Sequence, residues 1–229
     1  MLYVVATPIG NLEDISVRAL RVLKESDLIT AEDTRTSGIL LKKYGITTKM
    51  TSFHSFSSQK KIDELLIMLK QGLNIALISD AGTPCISDPG FLLVRLAREA
   101  GIQVCPIPGP SAFLTALSAC GFPINHFLYL GFLPKKKGRQ TLFTKLQQQE
   151  ETTVFYESPY RLLRTLQQCA EYFPDRQMAV ARELTKLYEE FVFGVPEELY
   201  KHFLTHTPRG EFVLILAGKN FNPKKTYSA

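Results

Sequence analysis

The chain has 229 residues, 45% of them hydrophobic and 21% charged, a balance that excludes a disordered or fibrous protein and leaves room for one or two folded domains. No apolar run approaches the roughly 20 residues that cross a bilayer, and no basic flank or signal-like segment precedes Leu2–Ala6, so a cytoplasmic protein without membrane contact is expected. The formal charge of +5 is uneven, with 12 Lys+Arg against 11 Asp+Glu in residues 1–120 but 15 against 11 in residues 121–229, so an anionic partner is expected to favour the second half.

Apolar runs of strand length alternate with segments of helical period through the first half. Strands are expected at 2–6, 28–31, 74–79 and 102–105, and helices at 16–25, 37–44, 62–71, 91–100 and 110–119. Ile62, Leu65, Leu66 and Leu69 share one helix face, and Gly101 follows the helix that begins at Phe91 as a stop signal. Strands apolar on both faces and joined by helices predict a mostly parallel sheet covered by helices. After a hinge at 120–123 the pattern restarts with strands at 127–132 and 152–156 around a helix at 139–148. Strands at 178–183, 188–193 and 211–217, with a helix at 196–204, complete an expected mixed sheet. The expected organisation is α/β throughout: an N-terminal domain over 1–120, a C-terminal domain over 121–219 and a polar tail over 220–229. Cys85, Cys105, Cys120 and Cys169 lack Cys-x-x-Cys spacing and are expected to be reduced and buried.

Three loops stand out. Thr7-Pro8-Ile9-Gly10-Asn11 follows the first strand, Ser79–Gly90 is a long connection stiffened by Pro84 and Pro89, and Pro106–Ala112 carries three prolines into a helix. If the sheet is parallel, all three emerge at its carboxyl edge, where α/β folds bind ligands. None has the glycine spacing of a dinucleotide or nucleoside triphosphate loop. Taken singly, each is also compatible with an ordinary turn, and Asp80 with a capping aspartate.

These segments resemble those of the tetrapyrrole-methylase superfamily of S-adenosyl-L-methionine (SAM)-dependent methyltransferases. Within it they are most similar to the branch that methylates the ribose 2′-hydroxyl of a cytidine in bacterial small-subunit rRNA, near the decoding centre. The resemblance rests on Thr7–Ile15, Ala31-Glu32-Asp33-Thr34-Arg35, Ile78–Pro84 and Pro108–Ala112. Later in the chain it adds Gly131-Phe132-Leu133-Pro134, Glu157-Ser158-Pro159-Tyr160-Arg161, Arg182–Lys186 and Gly210-Glu211. It implies two α/β domains with a SAM cleft between them, a homodimer, and rRNA or the 30S particle as partner. The implied cofactor positions are Pro8, Asp80, Gly82, Ile86, Ser111, Ala112 and Phe132, with Ala181 and Gly210 closing the site. Tetrapyrrole methylases proper carry a glycine-rich first loop and a Gly-Asp-Pro second loop, neither of which is present here. A tetrapyrrole or corrinoid substrate is therefore the alternative, and a noncatalytic RNA-binding module a third reading. Many rRNA-modifying relatives continue into a helical extension beyond the point where this chain ends.

A ribose hydroxyl is a poor nucleophile, so a general base is expected. Candidates are Glu32 and Asp33 first, then Glu157, Glu183 and Lys186, the lysine only if burial depresses its pKa. Glu32 and Asp33 are equally compatible with an acidic helix start. Arg35, Arg161 and Arg182 are candidate phosphate ligands, though each alone suits a surface ion pair. Lys135-Lys136-Lys137-Gly138-Arg139, the densest basic cluster, is a candidate rRNA backbone contact or a solvated loop. His202 and His206 have metal-like spacing without further ligands, and no metal is expected.

Overall fold

A computed structural model describes residues 1–205 and 208–224; His206 lies outside the described residues. The chain divides into two compact units, Met1–Ser111 and Ala112–Ala229.

The first unit holds strands β1 (Leu2–Val5), β2 (Leu28–Ala31), β3 (Met50–Ser52), β4 (Ile75–Ile78) and β5 (Val104–Ile107). Its helices are α1 (Val17–Glu25), α2 (Thr34–Lys43), α3 (Gln59–Lys70) and α4 (Phe91–Glu99). The strand order is β3-β2-β4-β1-β5, and every pair is parallel. Successive residues of β4 face opposite sides, so Ala76 and Ile78 join a core with Val22, Leu23, Leu40 and Leu41 of α1 and α2. Ile75 and Leu77 join another with Ile62, Leu65, Leu69, Leu93 and Ala97 of α3 and α4. The helices that follow β1 and β4 thus cover opposite faces. These adjacent central strands form a topological switch point, with a crevice at their carboxyl ends. Ser16, Asp33 and Ser58 start α1, α2 and α3 by accepting backbone N–H bonds from Ala19, Arg35 and Lys61. Pro106 is accommodated because β5 is an edge strand.

The second unit holds α5 (Ala112–Ala119), β6 (Phe127–Phe132), α6 (Arg139–Leu146), β7 (Thr152–Glu157), α7 (Pro159–Tyr172), β8 (Met178–Arg182), β9 (Glu190–Gly194), α8 (Pro196–Leu204) and β10 (Phe212–Leu216). Its sheet has the order β6-β7-β10-β8-β9; only β6 and β7 run parallel. Phe143, Leu162, Leu166, Phe173, Leu199 and Phe203 pack α6, α7 and α8 onto Phe155, Val180 and Leu214. The division between units falls before α5 rather than at the expected 120/121, because α5 packs on β7 and β10.

Two elements were not anticipated. β3 is a three-residue edge strand with no apolar alternation. α7 has a clear pattern, with Pro159 in the first turn and Leu162, Thr165, Leu166 and Cys169 buried on one face. All four cysteines are free thiols; Cys120 and Cys169 are buried as expected, whereas Cys85 and Cys105 are only half-buried, one in the loop after β4 and the other on the edge strand β5.

Candidate active site

The three proline-stiffened loops of the first unit meet in one hydrogen-bonded rim at the carboxyl ends of β4, β1 and β5. Thr7 and Gly82 form an isolated antiparallel bridge: the Thr7 N–H donates to Gly82 O at 2.8 Å and the Gly82 N–H to Thr7 O at 3.0 Å. The Thr7 hydroxyl adds a bond to Ser79 O at 3.1 Å, and the Thr83 hydroxyl donates to Pro110 O at 3.1 Å, tying in the third loop. The loop after β2 joins through the Asp33 N–H, which donates to Asp80 Oδ1 at 2.9 Å. The convergence expected from a parallel sheet is therefore present as specific bonds. Pro8, Gly82 and Ser111 are buried in this rim, while Asp80 and Ile86 are exposed on it. Gly109 approaches β1 so closely that an added Cβ would lie 3.0 Å from Ala6 Cβ. Cys85 and Ser87, at φ of 72° and 62°, hold the left-handed region that side chains disfavour, so the connection after β4 stores backbone strain beside the crevice.

The rim is acidic. Burial and the neighbouring Asp80 carboxylate raise the pKa of Glu32. Burial pushes Asp88 up to about 6, against a lowering hydrogen bond from Ser79 and with Glu32 and Asp80 adding repulsion. Asp33 behaves oppositely. Its carboxylate accepts from the Arg35 backbone N–H at 2.8 Å and from the Arg35 guanidinium at 2.6 Å, which lowers its pKa to about 2. Asp33 is thus the cap of α2, stripped of basicity, and Arg35 is its ion partner with the side chain still 90% exposed. Among the acids of this edge, Glu32 and Asp88 have raised proton affinity, the property a general base needs near neutral pH.

The remaining sequence candidates lie in the second unit. Glu183 Oε1 accepts from the Lys186 ammonium at 2.9 Å and the Glu211 N–H at 3.0 Å; these partners outweigh its burial and lower its pKa. Lys186 also contacts Glu211 at 2.8 Å. Burial alone would lower its pKa, but the two carboxylates raise it, which removes the condition on which it would act as a base. Arg182 donates to Arg209 O at 2.8 Å and pairs with Glu190 at 3.3 Å. Lys135, Lys136 and Lys137 are exposed and carry no ion pair among the described residues. Arg139 corrects an expectation: only 4% exposed, its guanidinium is bound to Gln168, Pro134 O and Thr165, so it cannot reach a phosphate without leaving the core. Arg161 bonds Glu157 at 2.6 Å and Leu133 O at 3.0 Å. Glu157 is fully buried between these arginines, a structural anchor rather than a base in contact with an acceptor. Phe132 is exposed, Ala112 is half-buried at the start of α5, and Ala181 is buried in β8. His202 contacts Glu190 at 2.7 Å; among the described residues no group of three or more His, Cys, Asp or Glu could hold a metal.

Comparison with known proteins bears on this arrangement directly. Residues 1–200 match the model of the tetrapyrrole (corrin/porphyrin) methylases. The chain belongs to that family. It is 48% identical over 218 residues to the ribosomal RNA small subunit methyltransferase I of Thermotoga maritima, covering 95% of this chain and 98% of the relative. The protein of the same name in Escherichia coli O157:H7 is 49% identical over 222 residues, covering 95% and 77%. Among solved structures, a cobalt precorrin-4 methyltransferase shares the fold at a TM-score of 0.70 and 16% identity, over 94% of each chain. The uroporphyrin-III-C-methyltransferase of Thermus thermophilus does so at 0.64 and 20%, over 95% and 94%. No helix among the described residues is long and apolar enough to cross a membrane.

In this methylase, Asp88 was visible in the sequence only as part of a long loop; its distinguishing feature, burial beside two other carboxylates, has no sequence signal. Gly210 has a local reason beyond the resemblance: its φ is +92°, and a Cβ there would collide with the Glu183 side chain. Gly210→Ala is expected to cost about 1–3 kcal/mol in urea unfolding. The same change in a Glu183→Ala background should cost clearly less, because the collision partner is gone; equal losses would show that backbone strain alone is responsible.

Proposed function

We propose that this chain transfers the methyl group of SAM to the ribose 2′-hydroxyl of a cytidine in small-subunit rRNA, near the decoding centre, in the cytoplasm and as a homodimer. The observation that carries the reading is the bonded rim of Thr7, Gly82, Thr83 and Pro110 at the switch point of the first sheet, with Asp80 held beside it. SAM bears a sulfonium and an ammonium against one carboxylate, a net cation, and the carboxylates of Asp80 and Asp88 suit such a ligand. When bound, it supplies an activated methyl group. The protein's contribution is then to hold the acceptor oxygen in line and to accept its proton, for which Glu32 is the proposed base. Pro8, Asp80, Gly82, Ile86 and Ser111 are the proposed cofactor positions of the first unit. Ala112, Phe132, Ala181 and Gly210 are the further positions to test by substitution. The rRNA substrate is favoured over a tetrapyrrole because relatives 46–49% identical are named for rRNA, whereas the tetrapyrrole enzymes share the fold at only 16–20% identity. Lys135, Lys136 and Lys137 are the proposed phosphate contacts, with Arg35 and Arg182 as secondary ones; Arg161, bound to Glu157 and Leu133 O, is not among them.

The deciding experiment supplies labelled SAM with either unmethylated 30S particles or uroporphyrinogen. Label in rRNA at an alkali-resistant 2′-O-methylcytidine is expected; label in the tetrapyrrole alone would reject the reading. Asp80→Ala is expected to weaken SAM binding about tenfold, the scale of one charge-assisted contact.

Binding should also follow pH. Asp88 is half protonated near pH 6, and a cationic ligand favours its ionised form, so binding releases protons and SAM affinity rises as pH goes from 5 to 7. Calorimetry across that range should show the rise in the wild type and a flatter profile in Asp88→Asn. Identical slopes in the two would remove Asp88 from the account.

A further inference from the structure

The turn after β6 and the first turn of α7 are fastened into one corner of the second unit. Glu157, at the end of β7, accepts from Arg161 Nη2 at 2.6 Å, the Thr165 hydroxyl at 2.6 Å and the Ser158 N–H at 2.9 Å, with Arg139 Nη1 at 4.0 Å. The two arginines pass the connection on: Arg161 Nη1 donates to Leu133 O at 3.0 Å and Arg139 Nη1 to Pro134 O at 3.1 Å. Taking three charges out of water is costly, and apolar packing would stabilise the core as well or better. What the buried charges achieve that apolar groups would not is to grip two particular carbonyls, those immediately before Lys135, Lys136 and Lys137.

The surface over this anchor is cationic and carries a bare aromatic ring. Residues 132–149 and 158–170 contain no Asp or Glu, while Lys135, Lys136, Lys137 and Arg164 are exposed. Tyr160 is 97% exposed, although its sequence neighbour Arg161 is bonded to the Lys-bearing turn. Phe132, 56% exposed, pairs in register with Tyr156 of β7, four residues before Tyr160 in the sequence. A lysine-bearing turn bonded through Leu133 O to the residue that follows an accessible ring is a combination suited to unpaired nucleotides: cations for the phosphates and a flat apolar face for a base.

We propose that this corner binds single-stranded RNA, with Tyr160 stacking on an unpaired base and Lys135, Lys136 and Lys137 holding the phosphates beside it. The inference rests on the rRNA reading above and adds a base contact and a requirement for an unpaired strand. Glu157, Arg139 and Arg161 act as positioning residues that keep the turn and the ring in one frame.

The test measures fluorescence anisotropy of a labelled single-stranded RNA oligomer and of a duplex RNA of the same composition. Tyr160→Ala should weaken the single strand about tenfold and leave the duplex unchanged, and Tyr160→Phe should retain the single-strand affinity, since the ring face is kept. Reversing Lys135, Lys136 and Lys137 to Glu should weaken both RNAs and flatten the single strand's log–log salt dependence by about 2, at about 0.7 per phosphate contact. Unchanged single-strand affinity in Tyr160→Ala, or equal losses on single strand and duplex, would overturn the stacking role. Poly-glutamate should displace the single strand less readily than unlabelled single-stranded RNA of equal charge; equal displacement by the two would point instead to an acidic protein surface and also overturn it. Failure of the rRNA reading would look different: no methyl transfer to 30S particles while the Tyr160-dependent binding persists.

Discussion

Glu157→Ala is expected to lower folding stability by about 3–5 kcal/mol, the usual cost of removing one partner from a buried ion pair. The carboxylate is fully buried, and its removal leaves Arg139, with a side chain only 5% exposed, and Arg161 facing each other without a counter-charge. The Thr165 hydroxyl and the Ser158 N–H lose an acceptor at the same time. Urea unfolding at neutral pH measures the loss, and Glu157→Gln should recover part of it because the amide oxygen can still accept two of these bonds. A loss below about 1 kcal/mol would mean that water enters and solvates the arginines, contrary to the closed packing described here.

The second large effect concerns chemistry. Glu32→Gln is expected to lower the methyl-transfer rate about 10²–10⁴-fold while leaving SAM affinity within a few-fold of the wild type. Glu32 is the carboxylate of the pair whose proton affinity is raised, by burial and by Asp80, whereas Asp33 is held near a pKa of 2 by Arg35. Asp33→Asn should therefore reduce the rate far less, and mainly through fraying of the start of α2, since an asparagine still caps a helix. Single-turnover assays with saturating SAM separate the two residues. Equal rate losses, or a Glu32 defect that disappears at higher SAM, would transfer the role elsewhere.

Most of the first unit was legible because its strands are short apolar blocks separated by helices with buried i, i+3, i+7 faces, such as Ile62, Leu65 and Leu69. A parallel sheet then has only one edge for its β-α loops, which is why the alternation of strands and helices alone brings together residues as far apart in sequence as Thr7, Gly82 and Pro110. Electrostatics was far less legible. Glu32 and Asp33 are neighbours and alike in charge, yet they part in basicity because one is a helix cap beside Arg35 and the other sits among carboxylates. Arg139 belongs to a run of basic residues, but unlike the three lysines before it, it turns inward to Thr165 and Gln168. Such differences depend on which side chain happens to lie opposite, and spacing along the chain does not encode that. α7 is a different case: its Ser158-Pro159 start and its apolar face of Leu162, Leu166 and Cys169 are signals that the sequence itself carries.

The position of β10 has a consequence for biosynthesis. Among the described residues it is the last strand of its unit, yet it lies at the middle of the β6-β7-β10-β8-β9 order and supplies Phe212, Leu214 and Leu216 to the core. A nascent polypeptide emerging N-terminus first can close the Met1–Ser111 unit early, because that sheet receives its final strand at the margin. The other half stays open along its centre until residues 212–216 leave the ribosome. In the meantime β7 and β8 present unsatisfied edges to the cell, a window in which chaperone engagement or mispairing is decided.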